Sequence, residues 1–307
     1  MRLVFAGTPE AAVPSLRRLA ASDHDIVSVV TRTDAPLGRK RVLTPSPVAQ
    51  AADELGIPTI KTDRLDSAAT DAIHDLRPDL GVIVAYGGLV REPLLSLPAH
   101  GWINLHFSLL PRWRGAAPVQ RAVMAGDAET GVAVFQLVPE LDAGDVFAQV
   151  PYLIPAGATA GALLAALAVD GADVLTDVVD AIADGTARAV PQEGEATVAP
   201  KLTLDDGRIR WEESREAVLA RIRGVTPEPG AHTTLDDARL KILAAGEAEA
   251  SVAALAPGEI GLAGKTVVAG TGTEPIVLER VQPAGKGSMS APDWWRGLRV
   301  DGTVVAS

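Results

Sequence analysis

Short apolar runs alternate with amphipathic segments through the first half of the 307-residue chain. The runs favour buried strands, whereas the segments between them show the apolar spacing of helices. Ser46 followed by Pro47 is a typical helix start, because serine caps the first turn and proline fits its first position. The alternation predicts crossover units and a mainly parallel α/β sheet. The predicted strands are 3–6, 26–31, 80–85 and 102–107, and the predicted helices are 9–21 and 47–55.

The pattern changes twice further along the chain. Two more strands, 130–137 and 146–152, and an alanine-rich helix over 159–183 extend the first domain. A stretch with prolines and glycines but no periodicity then indicates a linker. Beyond it, a short helix and several short strands are compatible with a small β-barrel. We therefore predict a catalytic domain at 1–185, a linker at 186–205 and a second domain at 206–307. The strands predicted in the second domain are 240–243, 258–262, 266–269 and 275–281, after a helix at 214–223.

Composition narrows the functional classes. The chain has no cysteine, which excludes disulfide and thiol chemistry, and a net charge of −11, which argues against bulk binding of a polyanion. The acidic surplus lies mostly before residue 206, so any nucleic-acid surface must be a local patch. The start of the chain reads as a strand and not as a signal peptide, and apolar runs are shorter than a membrane span. We expect a cytoplasmic protein.

Two common nucleotide signatures are missing from the sequence. The first strand ends in Ala6-Gly7-Thr8-Pro9, not in the glycine-rich turn that brings backbone close to a dinucleotide pyrophosphate. A phosphate-binding loop ending in Gly-Lys-Ser or Gly-Lys-Thr is also absent. The five histidines do not form a cluster with one another and acids at metal-ligand spacing, so no metal is expected. Nicotinamide-dependent oxidation and ATP use are therefore disfavoured.

The most informative segment is the strand predicted at 102–107. Asn104 and His106 are two residues apart, so in a strand their side chains leave the same face. An amide and an imidazole are donors that can hold a developing oxyanion. The alternative is an ordinary hydrogen-bonded strand end. Asp142, in an acid-rich turn after the 130–137 strand, favours the catalytic reading because a carboxylate near the imidazole would orient it and keep it protonated.

Several motifs together resemble the folate-dependent formyltransferases, and the resemblance runs from residue 1 to about 298. Within that family the likeness is greatest to members that act on initiator tRNA. The motifs that carry it are Met1-Arg2-Leu3-Val4-Phe5-Ala6-Gly7-Thr8-Pro9-Glu10, Pro45-Ser46-Pro47-Val48, Ala85-Tyr86-Gly87, Asn104-Leu105-His106-Phe107-Ser108-Leu109-Leu110-Pro111, Arg112-Trp113-Arg114-Gly115-Ala116-Ala117-Pro118, Leu141-Asp142-Ala143-Gly144-Asp145 and Gln282-Pro283-Ala284-Gly285-Lys286.

The resemblance implies a Rossmann-like formyltransferase domain followed by an OB-like β-barrel. It implies transfer of a formyl group from 10-formyltetrahydrofolate, the cosubstrate, to the α-amine of methionine on initiator tRNA. Direct attack by the amine would be assisted by Asp142, with the oxyanion held by Asn104 and His106. The pteridine would contact the segment at 85–87, the turn at 138–145 and the loop after His106. The folate-binding residues expected are Ala85, Tyr86, Gly87, Ser108, Leu109, Leu110, Pro111, Val138, Leu141 and Asp145.

The resemblance also implies a tRNA surface. The loop at 33–45 is long and carries three consecutive cations, which alone fits a solvated loop as well as a nucleic-acid finger. The matching insertion in the family reaches the acceptor stem, and Arg39 occupies the position of its recognition arginine. This chain departs from the family at Arg32-Thr33-Asp34-Ala35 and at Glu228, where an aromatic residue is usual. The tRNA-binding residues expected are Arg39, Lys40, Arg41, Arg221, Arg223 and Lys286.

Other functions stay open at this point. A formyltransferase acting on another amine would share the catalytic residues, although the basic loop argues against it. A 10-formyltetrahydrofolate hydrolase would use water as the acceptor with the same Asn, His and Asp. A non-catalytic tRNA-binding module is the third alternative. We expect a monomer.

Overall fold

A computed structural model describes residues 1–38, 40–300 and 302–307. The contacts divide the chain into two compact units. The first comprises Met1–Pro118, Glu129–Leu153 and Leu164–Ala199. The second comprises Val119–Ala128, Ile154–Leu163 and Pro200–Ser307. Residues 186–199 of the predicted linker thus belong to the first unit, and the boundaries of functional domains stay a prediction.

The first unit is built on a seven-stranded mixed sheet. Its order is β5-β2-β1-β6-β7-β8-β9, in which neighbours from β5 to β7 are parallel and the last two pairs are antiparallel. The mainly parallel sheet predicted from the sequence is confirmed. The strands are β1 Arg2–Gly7, β2 Asp25–Thr31, β5 Thr59–Lys61, β6 Leu80–Val84, β7 Trp102–His106, β8 Glu129–Gln136 and β9 Val146–Leu153, with a separate hairpin of β3 Ala35–Leu37 and β4 Val42–Thr44.

Helices flank this sheet, and α2 starts where the sequence signals it. The Ser46 side chain accepts from the backbone N–H of Ala49, as the capping pattern predicted. The long helix α5 packs on the sheet at Gly171, where a Cβ would lie 3.1 Å from Leu105 Cδ2 and 3.3 Å from Val132 Cγ1. That position therefore needs a small residue. The helices of this unit are α1 Val13–Ala20, preceded by a 3-10 turn at Glu10–Ala12, then α2 Pro47–Glu54, α3 Ser67–Asp75 and, from Leu164 onward, α5 Ala160–Ala183. All of α4 Pro118–Ala125 except its first residue belongs to the second unit.

The second unit contains an antiparallel β-rich domain, which confirms the β-rich domain predicted there. The main sheet has the order β10-β11-β14-β13-β12-β16, with β15 paired to β14. Its core includes Trp211, Val218, Ile260, Leu278 and Trp295. The elements are α6 Arg215–Gly224, β10 His232–Leu235, β11 Ala238–Glu247, β12 Glu259–Ala263, β13 Thr266–Ala269, β14 Ile276–Pro283, β15 Met289–Ser290, α7 Ala291–Leu298 and β16 Val304–Val305, with a 3-10 turn at Asp205–Gly207.

Two properties of residues 1–38, 40–300 and 302–307 bear on function. In that part of the chain no helix has both the length and the apolar character needed to cross a membrane. Within the same ranges, histidines and acids are not grouped so that three or more of them could hold a metal ion.

Candidate active site

The alternation of β7 separates its polar side chains from the helix that covers the sheet. Leu105 is 2 % exposed and contacts α5 through Gly171. Asn104 and His106, one position to either side, therefore point to the opposite face. His106 pairs in register with Ala133 of β8, and its ring lies edge-on to Phe135, with centroids 6.3 Å apart. The structure thus places both predicted catalytic side chains on one face at the end of a buried strand.

Asn104 has a buried side-chain oxygen with unmet hydrogen-bonding capacity. Its Oδ1 atom is inaccessible to solvent and has no hydrogen-bond partner among residues 1–38, 40–300 and 302–307. Leaving a buried acceptor unpaired costs about 1 to 3 kcal/mol. Ser15 Oγ, Thr130 Oγ1 and Arg221 Nε are likewise buried and unpaired among the described residues, so the position of Asn104 beside His106 is what makes its oxygen a functional candidate. The position is well suited to accept a hydrogen bond from a substrate N–H.

His106 is held by a hydrogen bond that selects its tautomer. The side chain is almost fully buried, and Nε2 lies 2.8 Å from the backbone oxygen of Trp113. Since a carbonyl oxygen only accepts, Nε2 must carry the proton. The other nitrogen, Nδ1, lies 3.8 Å from Oδ2 of Asp142. In the neutral ring, Nδ1 is therefore an available proton acceptor beside a carboxylate.

The expectation that Asp142 keeps His106 protonated is wrong for the free protein. Burial lowers the pKa of His106 below its ordinary value of 6.5, and it outweighs the opposing effects of the Asp142 carboxylate and the Trp113 carbonyl. The physical reason is the cost of removing an imidazolium from water, which a single carboxylate 3.8 Å away does not offset. His106 is consequently neutral at pH 7 until it receives a proton.

The turn that carries Asp142 is held from two directions. Asp142 has a left-handed backbone with φ of 45°, which aspartate tolerates better than most residues. Its Oδ2 accepts a 2.7 Å hydrogen bond from the N–H of Gly115. Its backbone oxygen accepts a 2.8 Å hydrogen bond from Nε2 of Gln192. The carboxylate is thus tied to the loop after β7, and the backbone is tied to the segment at 186–199.

The loop after His106 folds back on the strand and buries most of its side chains. Ser108 is fully buried, and its hydroxyl donates to the carbonyl of Arg112 at 2.6 Å. Leu110 packs in a small cluster with Phe135, and Pro111 is also buried. These predicted folate-binding residues use their side chains to shape the loop, and the carbonyls of Leu109 and Pro111 already accept from the N–H groups of Arg112 and Thr197. Leu109 is half-buried.

A cleft of about 460 Å³ adjoins the Asp142 turn. Two predicted folate-binding residues, Val138 and Asp145, line it, whereas Leu141 is exposed on the turn. Gly144 leaves no room for a side chain, since a Cβ there would lie 1.7 Å from the backbone oxygen of Gln136. The remaining lining residues are Gln136, Glu140, Ala143, Phe147 and Ala189.

Two residues of the Ala85–Gly87 segment are tied to neighbouring segments by hydrogen bonds. Ala85 is exposed with a left-handed φ of 49°. Tyr86 is buried, its hydroxyl donates to the carbonyl of Thr62 at 2.9 Å, and burial raises its pKa. The carbonyl of Gly87 accepts from Arg32 Nη2 at 2.5 Å.

The predicted tRNA-binding cations differ in their exposure and in whether they already bind a carboxylate. Lys40 and Arg41 are exposed at the turn of the β3–β4 hairpin, while Arg39 lies outside the described residues. In the second unit, Arg221 makes two 3.1 Å hydrogen bonds to the carboxylate of Glu213 and is only 12 % exposed. An ion pair with a neighbouring carboxylate and low exposure both disfavour contact of Arg221 with a phosphate. The other two predicted cations in that unit are Arg223 and Lys286. Arg223 is half-buried, and burial lowers its pKa, whereas Lys286 is exposed.

Sequence reasoning missed the groups that hold the catalytic side chains. The Trp113 carbonyl, the Gly115 N–H and the Gln192 amide all contact His106 or the Asp142 turn. Backbone groups leave no signal in the sequence. Gln192 lies in an aperiodic segment, 50 residues from Asp142, so nothing local marked it.

Comparisons with known proteins agree over nearly the whole chain. Residues 1–179 match the formyl transferase family model, and residues 201–299 match the model of the formyl transferase C-terminal domain. A methionyl-tRNA formyltransferase of Clavibacter sepedonicus is 63 % identical over 305 residues, covering 99 % of this chain and 100 % of that protein. One from Paenarthrobacter aurescens is 52 % identical over 305 residues, covering 99 % of both chains.

Solved structures with low identity share the fold. An N-formyltransferase of Helicobacter canadensis, in complex with folinic acid and dTDP-3-aminofucose, superposes with a TM-score of 0.69 at 16 % identity, covering 92 % of this chain and 98 % of the other. HypX of Aquifex aeolicus has a TM-score of 0.66 at 19 % identity, covering 97 % of this chain. The chain spans about half the length of HypX, 47 %. With two family models matched along its length, this chain belongs to the formyl transferase family.

Proposed function

We propose that this protein transfers a formyl group from 10-formyltetrahydrofolate to the α-amine of methionine on initiator tRNA. The similarity to methionyl-tRNA formyltransferases at 52 to 63 % identity supports the choice of acceptor. The observation that carries the chemistry is the buried, unpaired Oδ1 of Asn104 on the same strand face as a neutral His106. A buried acceptor and a buried base suit a reaction in which an amine must be oriented and deprotonated.

Asn104 contacts both groups that join in the new C–N bond, the amine and the formyl group. Its Oδ1 accepts an N–H of the attacking amine and so orients the nitrogen lone pair toward the formyl carbon. Its NH₂ group donates to the formyl oxygen as negative charge develops there. A donor of this kind is typically worth about 3 kcal/mol in the transition state.

His106 receives the proton that the amine loses when the new C–N bond forms. The proton goes to Nδ1, because Nε2–H is already bonded to the carbonyl of Trp113. The imidazolium is stabilised by Asp142, and it then becomes a donor to the oxyanion. Breakdown of the tetrahedral intermediate breaks the bond from the formyl carbon to N10, and that nitrogen takes the proton from His106. The electron pair of the broken bond remains on N10, so the step is balanced without a covalent enzyme intermediate.

The cleft beside Gly144 fits the pteridine of the cosubstrate. Its volume of about 460 Å³ lies within the usual range for small-molecule sites. Five residues of the 138–145 turn line it, and their backbone groups would suit the donor and acceptor edge of a flat heterocycle.

The β3–β4 hairpin suits contact with RNA. Exposed Lys40 and Arg41 offer charge for phosphates, and Leu37 and Leu43 are also exposed there. Lys61 donates to Asp34 at 2.6 Å near the base of the hairpin. We expect the protein to act in the cytoplasm, where initiator tRNA is charged, and to act as a monomer.

The test combines purified protein, 10-formyltetrahydrofolate and methionyl initiator tRNA, and it measures formylmethionyl-tRNA. Methionyl elongator tRNA serves as the matched acceptor, and a reaction without tRNA monitors loss of the folate formyl group. Product from the initiator alone is the expected result. Folate deformylation without a tRNA product would instead establish a hydrolase, and tRNA binding without either reaction would establish a binding module.

A further inference from the structure

The side chain of Gln192 uses all of its hydrogen-bonding groups at the candidate site. Its Nε2 donates to the backbone oxygens of Asp142, at 2.8 Å, and Gly144, at 2.9 Å. Its Oε1 accepts from Nε of Arg114 at 3.1 Å and from Nη2 of the same residue at 2.6 Å. Two carbonyls require donors and a guanidinium requires an acceptor, so the partners fix which end of the amide is which.

These contacts link the two segments that hold the imidazole of His106. One segment is the turn whose Asp142 carboxylate faces Nδ1, and the other is the loop whose Trp113 carbonyl accepts from Nε2. Gln192 bonds the turn directly, and it bonds the loop through Arg114, the residue next to Trp113. A shift of Gln192 would therefore loosen both partners of the histidine.

Gln192 is itself fixed by the backbone on either side. Val190 exchanges two hydrogen bonds with Val146 of β9, at 2.8 and 3.0 Å. The carbonyl of Thr197 accepts from the N–H of Arg114 at 2.9 Å, and the Ala199 N–H donates to the carbonyl of Arg114 at 2.7 Å. The segment at 190–199 thus runs beside the catalytic loop as an attached strap, and the side chain of Gln192 spans the gap to the Asp142 turn.

We propose that Gln192 is a positioning residue for formyl transfer, which holds the Asp142 turn and the Trp113 loop at the distances that His106 requires. This inference rests on the proposed function for its kinetic consequence. A displacement of about 1 Å at reacting groups typically costs up to a hundredfold in rate. The interactions to be tested are the two bonds to the turn carbonyls and the two from Arg114.

Two substitutions separate these interactions. Gln192→Glu retains an acceptor for Arg114 but removes both donors, and it sets a carboxylate against two carbonyl oxygens. Gln192→Met has a similar length and removes every hydrogen bond. If holding the turn is essential, we expect both variants to lose about tenfold to a hundredfold in kcat with KM for tRNA unchanged. Gln149→Glu and Gln149→Met, at an exposed position of β9, are the matched controls and should retain wild-type rates.

A second readout does not depend on turnover. Among the described residues, Asp142 is the charged group acting on His106, and its carboxylate raises the pKa of that ring. When the turn is released, the carboxylate moves away and the pKa of His106 should fall further in Gln192→Met, which adds no charge of its own. An NMR titration of the five histidines, with His106 assigned through His106→Gln, measures this directly. Thermal unfolding of each variant shows whether the fold is retained.

The outcomes are separable. Wild-type kcat in both variants and an unchanged His106 pKa in Gln192→Met would overturn the inference while formylation by the parent protein stands. Impairment of Gln192→Met alone would overturn it as well, because the contact with Arg114 would then suffice. If the parent protein formylates no tRNA, the proposed function fails, and the NMR shift alone decides whether Gln192 holds the site.

Discussion

The backbone oxygen of Trp113 accepts a 2.8 Å hydrogen bond from Nε2 of His106, so a loop carbonyl decides which nitrogen of the ring is free. With that proton fixed, the basic nitrogen Nδ1 faces Asp142. A neutral histidine with a defined lone pair is suited to take a proton from an amine. The same ring fully protonated would have no such capacity.

The first prediction concerns the titration of His106. Burial lowers its pKa, so an NMR titration should give a value below 6.5 in the free protein. Asp142→Asn removes the charge that raises this pKa, and the value should fall further. A pKa above 6.5 in the parent protein would contradict the assignment of His106 as a base.

The same pKa shift makes stability depend on pH. A histidine whose pKa is depressed in the folded state contributes stability that is complete above its unfolded pKa of about 6.5 and is lost as the pH falls through the folded pKa. Urea unfolding at pH 7 and pH 5 should therefore show a larger loss of stability for the parent protein than for His106→Gln. Equal losses would mean that His106 is not buried in its neutral form.

Asn104 and Asp142 should be required for turnover and not for folding. Asn104→Ala removes a donor to the oxyanion, and Asp142→Asn removes the charge that stabilises the imidazolium. Each should lower kcat by at least about a hundredfold. Thermal unfolding would verify that the variants are folded, and near-wild-type rates in either would end the proposed mechanism.

Gly144→Ala should damage the cleft. The new Cβ would lie 1.7 Å from the carbonyl oxygen of Gln136, so the turn must move and the KM for folate should rise. Gly297→Ala is the control, because nothing lies within 4 Å of its Cβ position in α7. That substitution should be neutral or stabilise by up to about 1 kcal/mol. An unaltered folate KM in Gly144→Ala would show that the cleft is not the folate site.

The β3–β4 hairpin should affect the binding of tRNA and not the binding of folate. Arg39→Ala and the double variant Lys40→Ala with Arg41→Ala should raise KM for initiator tRNA and leave KM for folate unchanged. Loss of two phosphate contacts should reduce the slope of log affinity against log salt by about two. Lys265→Ala, an exposed lysine of the second unit, is the matched control. Similar effects of Arg39→Ala on every tRNA would indicate phosphate contact and not selective recognition.

Arg221 should affect stability and not tRNA affinity. Arg221→Ala breaks two hydrogen bonds to Glu213 in a largely buried setting and should cost about 2 kcal/mol in the free energy of unfolding. Arg210 approaches the same carboxylate at 3.8 Å but is 57 % exposed, so Arg210→Ala should change stability little. A selective fall in tRNA affinity for Arg221→Ala would restore its predicted role.

The sequence was informative where elements are long and periodic. At each end of five elements the observed bound lies within one residue of the predicted one. They are the strands β1, β2, β6 and β7 and the helix α5. The agreement arises because buried apolar runs and capping residues are local signals. The elements it missed are short, lie at sheet edges or lack a strong pattern. They are the strands β3, β4, β5, β10, β15 and β16 and the helices α3, α4 and α7.

By itself the sequence determined the fold class and the pair on β7, since strand alternation fixes that Asn104 and His106 share a face. The tertiary structure decided their chemistry. Burial sets the charge state of His106, the Trp113 carbonyl sets its tautomer, and Gln192 reaches the site from a segment whose sequence resembles a linker. The reason is physical: desolvation and hydrogen bonds between distant segments depend on which groups folding brings together, and local pattern carries no record of them.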